Sequence, residues 1–357
     1  MSRIKTVCAV ATAVALAGTI PAARADDQIS VGFVIHVQGN PFIQQIVDGA
    51  QAAAADLGIK LQVAAPSVGG DPEAQLRAAQ NFLNSGAQAI ATSVPGESMA
   101  KGLNEIVASG VPVVQFNLLA TSVKASYVGE KSVESGRILG RMIVAKMGGP
   151  SAKGTVVIGN CFPGFPVLEN RAKGVEESLK AAPGLKVLGP FDVKVSAVEN
   201  YNRWEALYAA NPDAAAMIGL CAPDVESLGK LNGANGDKFI AGGYDLTEQN
   251  LAAIKGGHAY VTLGQSAFVQ GYLPVALLVN ALKTKKPTPV AFFNSGTQIV
   301  TADSVDMGNN LPKISFAEAQ KLAADPKATA IYYKPWIATL AGAGLMAGMK
   351  PIAAESE

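Results

Sequence analysis

The sequence predicts an α/β fold of two lobes, each built on a parallel sheet. Short β-rich runs alternate with longer amphipathic stretches from residue 28 onward. The cycle then starts again near residue 130, with units of similar size. No Pro-, Gly- or Ser-rich linker separates the halves, so the chain is expected to cross between lobes through ordered segments, as a hinge requires. Strands alternating with helices of this length form right-handed βαβ units, whose helices cover both faces of a parallel sheet.

Residues 29–35 read as the first strand, ended by Gly39-Asn40-Pro41. A helix follows over 41–57, with Phe42, Ile46 and Ala50 on one face at helical spacing. Pro41 suits its first turn, where a missing N–H has no partner to lose. Residues 60–64 form the next strand, and Asp71 and Pro72 open a helix through 84 as N-cap and first helical position. Strands at 89–92 and 111–116 flank a helix near 98–108, which Ser109-Gly110 stops. An extended run at 125–129 closes this first set. The second set has strands at 154–159, 186–189, 214–220 and 239–242, with helices near 132–147, 168–181, 202–210, 224–231 and 247–254. Residues 337–349 are apolar and rich in Gly and Ala, but too short for a membrane span. They read as a C-terminal helix or loop packed on the body, with a partner-binding segment as the alternative.

The first residues bear on compartment. Arg3 and Lys5, the apolar run 7–18 and the small-x-small site Ala23-Arg24-Ala25 have the order of a secretory signal peptide over 1–25. Cys8 lies before the cleavage point, where lipid attachment would not occur, so a periplasmic protein that is not a lipoprotein is expected, beginning at Asp26. The length suits about two domains. With 49% hydrophobic and 16% charged residues there is enough apolar material for sizeable cores. A net charge of +1 with no basic block offers nothing to nucleic acid or anionic lipid. Of three cysteines, only Cys161 and Cys221 remain after cleavage. Two cannot build a disulfide framework or a four-ligand zinc site, although an oxidising compartment allows them one bridge.

Ligands of parallel α/β sheets bind at the carboxyl ends of strands. Those positions hold His36, Gln38, Asn40 and Phe42, then Phe116 and Asn117, and in the second half residues 160–165, 221–224, Tyr244, Asp245 and Gln265. The set is polar, mostly neutral and laced with aromatics. Sugar recognition uses that mixture: amides, carboxylates and a guanidinium fork onto paired hydroxyls while a ring covers the C–H face. Enzyme signatures are missing: there is no G-x-S-x-G, no P-loop, no G-x-G-x-x-G and no H-E-x-x-H. The two histidines, His36 and His258, are far apart, and each has a structural alternative as a strand-end or turn residue. A secreted hydrolase would need paired carboxylates or an activated nucleophile, and Glu130 and Asp245 are the only strand-end acids able to approach each other. No enzyme activity, cofactor or metal is therefore expected.

The residues also carry a resemblance. Val31-Gly32-Phe33-Val34-Ile35, Asn40-Pro41-Phe42 and Asp48-Gly49-Ala50 resemble the start of ribose- and galactose-type periplasmic binding proteins of ABC importers. Further matches follow in order: Gly70-Asp71-Pro72, Ser85-Gly86-Ala87, Val111-Pro112-Val113-Val114, Tyr127-Val128-Gly129, Arg171 with Gly174, Gly243-Tyr244-Asp245 and Gln265. The resemblance implies two Rossmann-like lobes joined by a three-segment hinge, the type I periplasmic binding protein clamshell, with crossings near Gly129, Gln265 and residues 294–296. It divides the chain into a first lobe of 26–129 plus 266–294, a second of 130–265 plus 295–315, and a C-terminal extension, 316–357, packed on the body.

The resemblance implies ligand-binding roles for Asn40, Phe42, Arg171, Asp245 and Gln265, with Tyr201 as a second aromatic; Phe116 and Asn117 join them as the residues at the end of the fourth strand. Each residue type also has a structural role open to it: a helix cap for Asn40 or Asp245, core for Phe42, an ion pair with Glu169 or Glu176 for Arg171, a solvated hinge for Gln265. Sugar-binding relatives often carry Asp-Arg after the fourth strand, where this chain has Asn117-Leu118, and Asn-Asp where it has Pro223-Asp224. A ligand relying on the missing groups would lose about 1–3 kcal/mol per unmet partner. The expected ligand is therefore a monosaccharide other than plain ribose or galactose, a deoxy sugar or a polyol. If the second lobe keeps the usual strand order, Cys161 and Cys221 stand on neighbouring strands and are placed either to bridge beside the cleft or to stay as two buried free thiols. The implied function is solute capture by a monomer for an ABC permease. The alternatives are a sensor feeding a chemoreceptor or kinase, and a secreted hydrolase.

Overall fold

The computed structural model describes residues 28–355; the signal-peptide segment and Cys8 lie outside them. The first half runs β1 (Ser30–Val34), α1 (Pro41–Leu57), β2 (Lys60–Ala64), α2 (Pro72–Asn84), β3 (Ala89–Thr92), α3 (Ala100–Ala108), β4 (Val113–Phe116) and β5 (Ser126–Gly129). Local chemistry sets the helix starts. Asn40 Oδ1 accepts from the backbone N–H groups of Phe42 and Ile43, and Asp71 Oδ1 accepts from that of Ala74. Each cap precedes a proline at the first helical position.

The second set follows as α4 (Ser132–Lys146), β6 (Lys153–Asn160), α5 (Pro166–Leu179), β7 (Gly184–Asp192), α6 (Ala197–Ala210), β8 (Ala214–Gly219), α7 (Asp224–Ala234), β9 (Ile240–Tyr244), α8 (Glu248–Lys255) and β10 (Val261–Gly264). The chain then forms α9 (Ala267–Thr284), β11 (Phe292–Asn294), β12 (Gln298–Thr301), β13 (Ser304–Asp306), α10 (Phe316–Ala324) and α11 (Pro326–Ala343).

Two sheets result. One has the order β11-β5-β4-β3-β1-β2, parallel throughout. The other has the order β13-β12-β10-β9-β8-β6-β7, parallel except for β12 and β13. The α/β class and the paired parallel sheets are as the sequence predicts. The chain passes between the sheets after Gly129, after Gly264 and after Asn294.

Helix α9 and the β12–β13 hairpin are absent from the sequence reading. Helix α9 is buried nearly all round, from Ala267 through Val279. Such a helix lacks the polar stripe by which a 3.6-residue period is recognised. In the second lobe, α4 and α5 cross at contact distance. A Cβ on Gly136 would stand 2.2 Å from the carbonyl oxygen of Arg171, and one on Gly174 would stand 2.0 Å from that of Val133. Only glycine permits this approach, and it holds α5, and with it Arg171, against the start of α4.

The C-terminal segment lies against both halves. Phe316 packs on the core around Trp204, whereas Trp336, Ile337 and Leu340 pack on the core around Phe33. Tyr333 stacks on Phe268 with centroids 5.3 Å apart, and its hydroxyl accepts from Gln298 Nε2 at 3.0 Å. The apolar run expected at 337–349 is split: residues through Ala343 end α11, and those after it leave the helix.

Candidate ligand-binding cleft

Between the two sheets, at the carboxyl ends of their strands, lies a cavity of about 60 Å³. Asn40, Phe42 and Asn117 line it from the first sheet; Arg171, Asp245 and Gln265 line it from the second. These are six of the eight residues named for the site by sequence.

The other two stand elsewhere. Phe116 is fully buried in the first core, stacked on Phe33 with centroids 4.3 Å apart. It is the last residue of β4, on a sheet face covered by helices, and only the next residue reaches the cleft. Tyr201 does not line the cavity. Helix α6 begins at Ala197, five residues before its expected start, and Tyr201 packs against the second core. The aromatics that do line the cavity in its place are Phe162 and Phe165, stacked 4.2 Å apart on the loop after β6. Sequence placed them at a strand end without a reason to prefer them to Tyr201. His36 and Leu118 also line the cavity and were not among the eight.

Asn117 and Asp245 both have positive φ, 60° and 76°. Asn and Asp tolerate this left-handed turn better than other side-chain-bearing residues, which explains their presence where a strand bends into a loop. The turn leaves both side chains in one hydrogen-bonded chain. Asn117 Nδ2 donates to Gln270 Oε1 at 3.1 Å and to Gln265 Oε1 at 3.3 Å, and Gln265 Nε2 donates to Asp245 Oδ1 at 2.9 Å. Gln265 is therefore a buried link across the crossing, not a solvated hinge residue. Asp245 caps nothing, because Thr247 Oγ1 accepts from Asn250 N and caps α8. Asn40 both lines the cavity and caps α1.

Arg171 is buried and ion-paired, but with Glu130 and not with Glu169 or Glu176. Its Nε donates to Glu130 Oε1 at 2.5 Å, its Nη1 donates to the Leu220 carbonyl at 2.7 Å, and its guanidinium lies 3.9 Å from the centre of the Tyr244 ring. Burial pushes the Asp245 carboxyl up to about 6, against the opposing pull of Arg171 and the Gln265 hydrogen bond. The same cause raises Asp224 to about 6. That residue is structural: it accepts from Asn200 Nδ2, Trp204 Nε1 and the Cys221 backbone N–H. Glu130 and Asp245, the pair of acids considered for hydrolysis, both act on the charge of Arg171.

Cys161 and Cys221 form a disulfide with Cα atoms 6.1 Å apart, just past the ends of the neighbouring strands β6 and β8. Both cysteines line the cavity. Among the described residues no group of three or more His, Cys, Asp or Glu is placed to hold a metal, and no helix is long and apolar enough to cross a membrane.

The family model of the periplasmic binding protein domain matches residues 31–286. The ribose import binding protein of Haemophilus influenzae is 26% identical over 280 residues, covering 77% of this chain and 93% of that protein. The xylose/arabinose-binding protein of Sulfolobus acidocaldarius is 22% identical over 295 residues, covering 76% of this chain and 71% of that protein. Among solved structures, an ABC transporter solute-binding protein from Burkholderia graminis in complex with D-arabinose aligns with a TM-score of 0.73 at 22% identity, covering 78% of this chain and 97% of that one.

Proposed function

The chain belongs to the periplasmic binding protein domain family, and on that premise we propose that it captures a neutral sugar or sugar-like solute by closing its two lobes, then delivers it to an ABC permease. The observation that carries the reading is the cleft itself. Asn40 and Asn117 come from one side and Arg171, Asp245 and Gln265 from the other, with Gln265 hydrogen-bonded to both Asn117 and Asp245. A solute seated there would touch both lobes and stabilise the closed state by its differential affinity for it. Phe42, Phe162 and Phe165 would cover its C–H face. The names of the relatives, which bind or import ribose, xylose or arabinose, support a monosaccharide as ligand.

In this reading the lobes are residues 26–129 plus 266–294 and 130–265 plus 295–315, the working location is the periplasm after removal of residues 1–25, and the molecule acts as a monomer without catalytic turnover. Asn117 and Leu118, standing where an Asp-Arg clamp is common, favour a deoxy sugar, a polyol or a less polar derivative. The test is thermal unfolding of the chain from Asp26 against pentoses, hexoses, deoxy sugars and polyols. A bound solute at 100 times its Kd stabilises the protein by about 2.7 kcal/mol and raises the midpoint accordingly. A midpoint unmoved by every carbohydrate overturns the sugar assignment.

A further inference from the structure

His36 stands two residues past β1, is 8% exposed, and lines the cavity. Its Nδ1 is 3.2 Å from Ser93 Oγ. Its Nε2 makes no hydrogen bond within the described residues. Behind it lies a buried relay that decides which ring nitrogen carries the proton.

The relay begins at Gln75, which is fully buried. Gln75 Nε2 donates to the Ser93 carbonyl oxygen at 2.7 Å and to Ser93 Oγ at 3.4 Å. A carbonyl oxygen only accepts, so the amide cannot be turned around without setting two oxygens against each other. Ser93 Oγ thus receives a proton from Gln75 and has its own to place. Among the described residues, the one acceptor within reach is His36 Nδ1. An imidazole that accepts at Nδ1 carries its proton at Nε2. Burial also pushes the ring pKa down to about 4, so the imidazole stays neutral at ordinary pH.

We propose that His36 is a ligand-contacting, specificity-determining residue, whose Nε2–H donates to an acceptor oxygen of the captured solute. The proposal rests on the reading of this cavity as the solute site. Its chemical consequence is selective. The first lobe presents a neutral donor, which favours an acceptor oxygen at that point of the ligand, gains nothing from a methylene there, and repels an ammonium group. Gln75 and Ser93 act through the ring and are positioning residues.

The experiment has an arm that needs no ligand. The chain has two histidines, so long-range ¹H–¹⁵N spectra of the ¹⁵N-labelled protein assign His36 by difference with His258→Asn. The expected spectrum shows the Nε2–H tautomer, neutral from about pH 5.5 upward. An Nδ1–H tautomer, or an imidazolium in that range, overturns the proposal. Ser93→Ala should let the Nδ1–H form appear while the ring stays in place.

The second arm is calorimetric titration with D-ribose, D-arabinose and 2-deoxy-D-ribose. His36→Phe keeps a ring and removes the donor, and should weaken the sugars that bind by about tenfold, with Ser93→Ala weakening them less. Binding by His36→Phe within twofold of the parent for every sugar overturns the proposal. If His36→Phe does not fold, Ser93→Ala serves instead, and unchanged binding despite a changed tautomer overturns it. If the parent binds no carbohydrate at all, the sugar reading fails, and the histidine proposal is decided by the tautomer alone.

Discussion

From the first lobe the cleft receives His36, Asn40 and Asn117, none of them charged; from the second it receives Arg171 and Asp245, with Glu130 buried behind them. The two walls differ in what it costs to keep them. The second holds charges out of water, and each is tolerated because a partner is already in place within the protein. The first holds neutral groups that need only one or two hydrogen bonds apiece. Charge in this cleft is therefore settled before a solute arrives, and closure brings a neutral wall onto a charged one without burying a new ion.

The largest test of that asymmetry is Arg171→Met. It leaves Glu130 buried and unpaired, and should cost about 3–5 kcal/mol in urea unfolding. Adding Glu130→Leu should recover most of the loss, because the cost is that of the orphaned charge. A single-variant loss under about 1 kcal/mol would mean that the pair is solvated and the contrast between the walls is wrong.

The second test is the pH dependence of stability, where the walls pull in opposite directions. Burial lowers His36 from 6.5 to about 4. Its contribution is complete above about 6.5 and is lost as the pH falls through 4. Burial raises Asp224 and Asp245 from 3.8 to about 6. Their contribution is complete below 3.8 and is lost as the pH rises through 6. Between about pH 4 and 6.5 these slopes partly cancel in the parent. Thermal midpoints across that window should fall more steeply with rising pH in His36→Phe, and less steeply in Asp245→Asn. Identical profiles for the two variants would contradict the assignment of opposite signs.

The smallest effect belongs to the neutral wall. Asn40→Ala removes the cap of α1 and should cost about 1 kcal/mol, read from the same urea titration as Arg171→Met at unchanged slope. A loss as large as that of Arg171→Met would erase the difference between the walls.

Much of the fold was legible because its signals are local. The caps at Asn40 and Asp71, the prolines after them and the β-rich runs at 60–64 and 89–92 each act within a few residues, and the structure has elements where those signals predict them. Helix α9 was not legible, since burial on all sides removes the periodicity by which a helix is read. The site divides in the same way. Asn117, Asp245 and Gln265 sit one residue past a strand, where a parallel sheet always opens its ligand cleft. Phe116 is one residue too early on the same strand, and a shift of one residue exchanges cleft for core. Tyr201 lies inside α6, which begins five residues before its expected start, and packs on the second core instead of the cleft.

The sequence by itself determined the two α/β lobes, their parallel sheets and the strand ends at which polar side chains gather, because propensity, capping and patterning are written along the chain. The tertiary structure decided the partners. That Arg171 pairs with Glu130, that Cys161 meets Cys221, and that Ser93 and Gln75 orient His36 all depend on contacts across 41, 60, 57 and 18 residues of sequence. Only packing brings such groups together, and a buried polar group takes its charge and its proton from the neighbours that packing supplies.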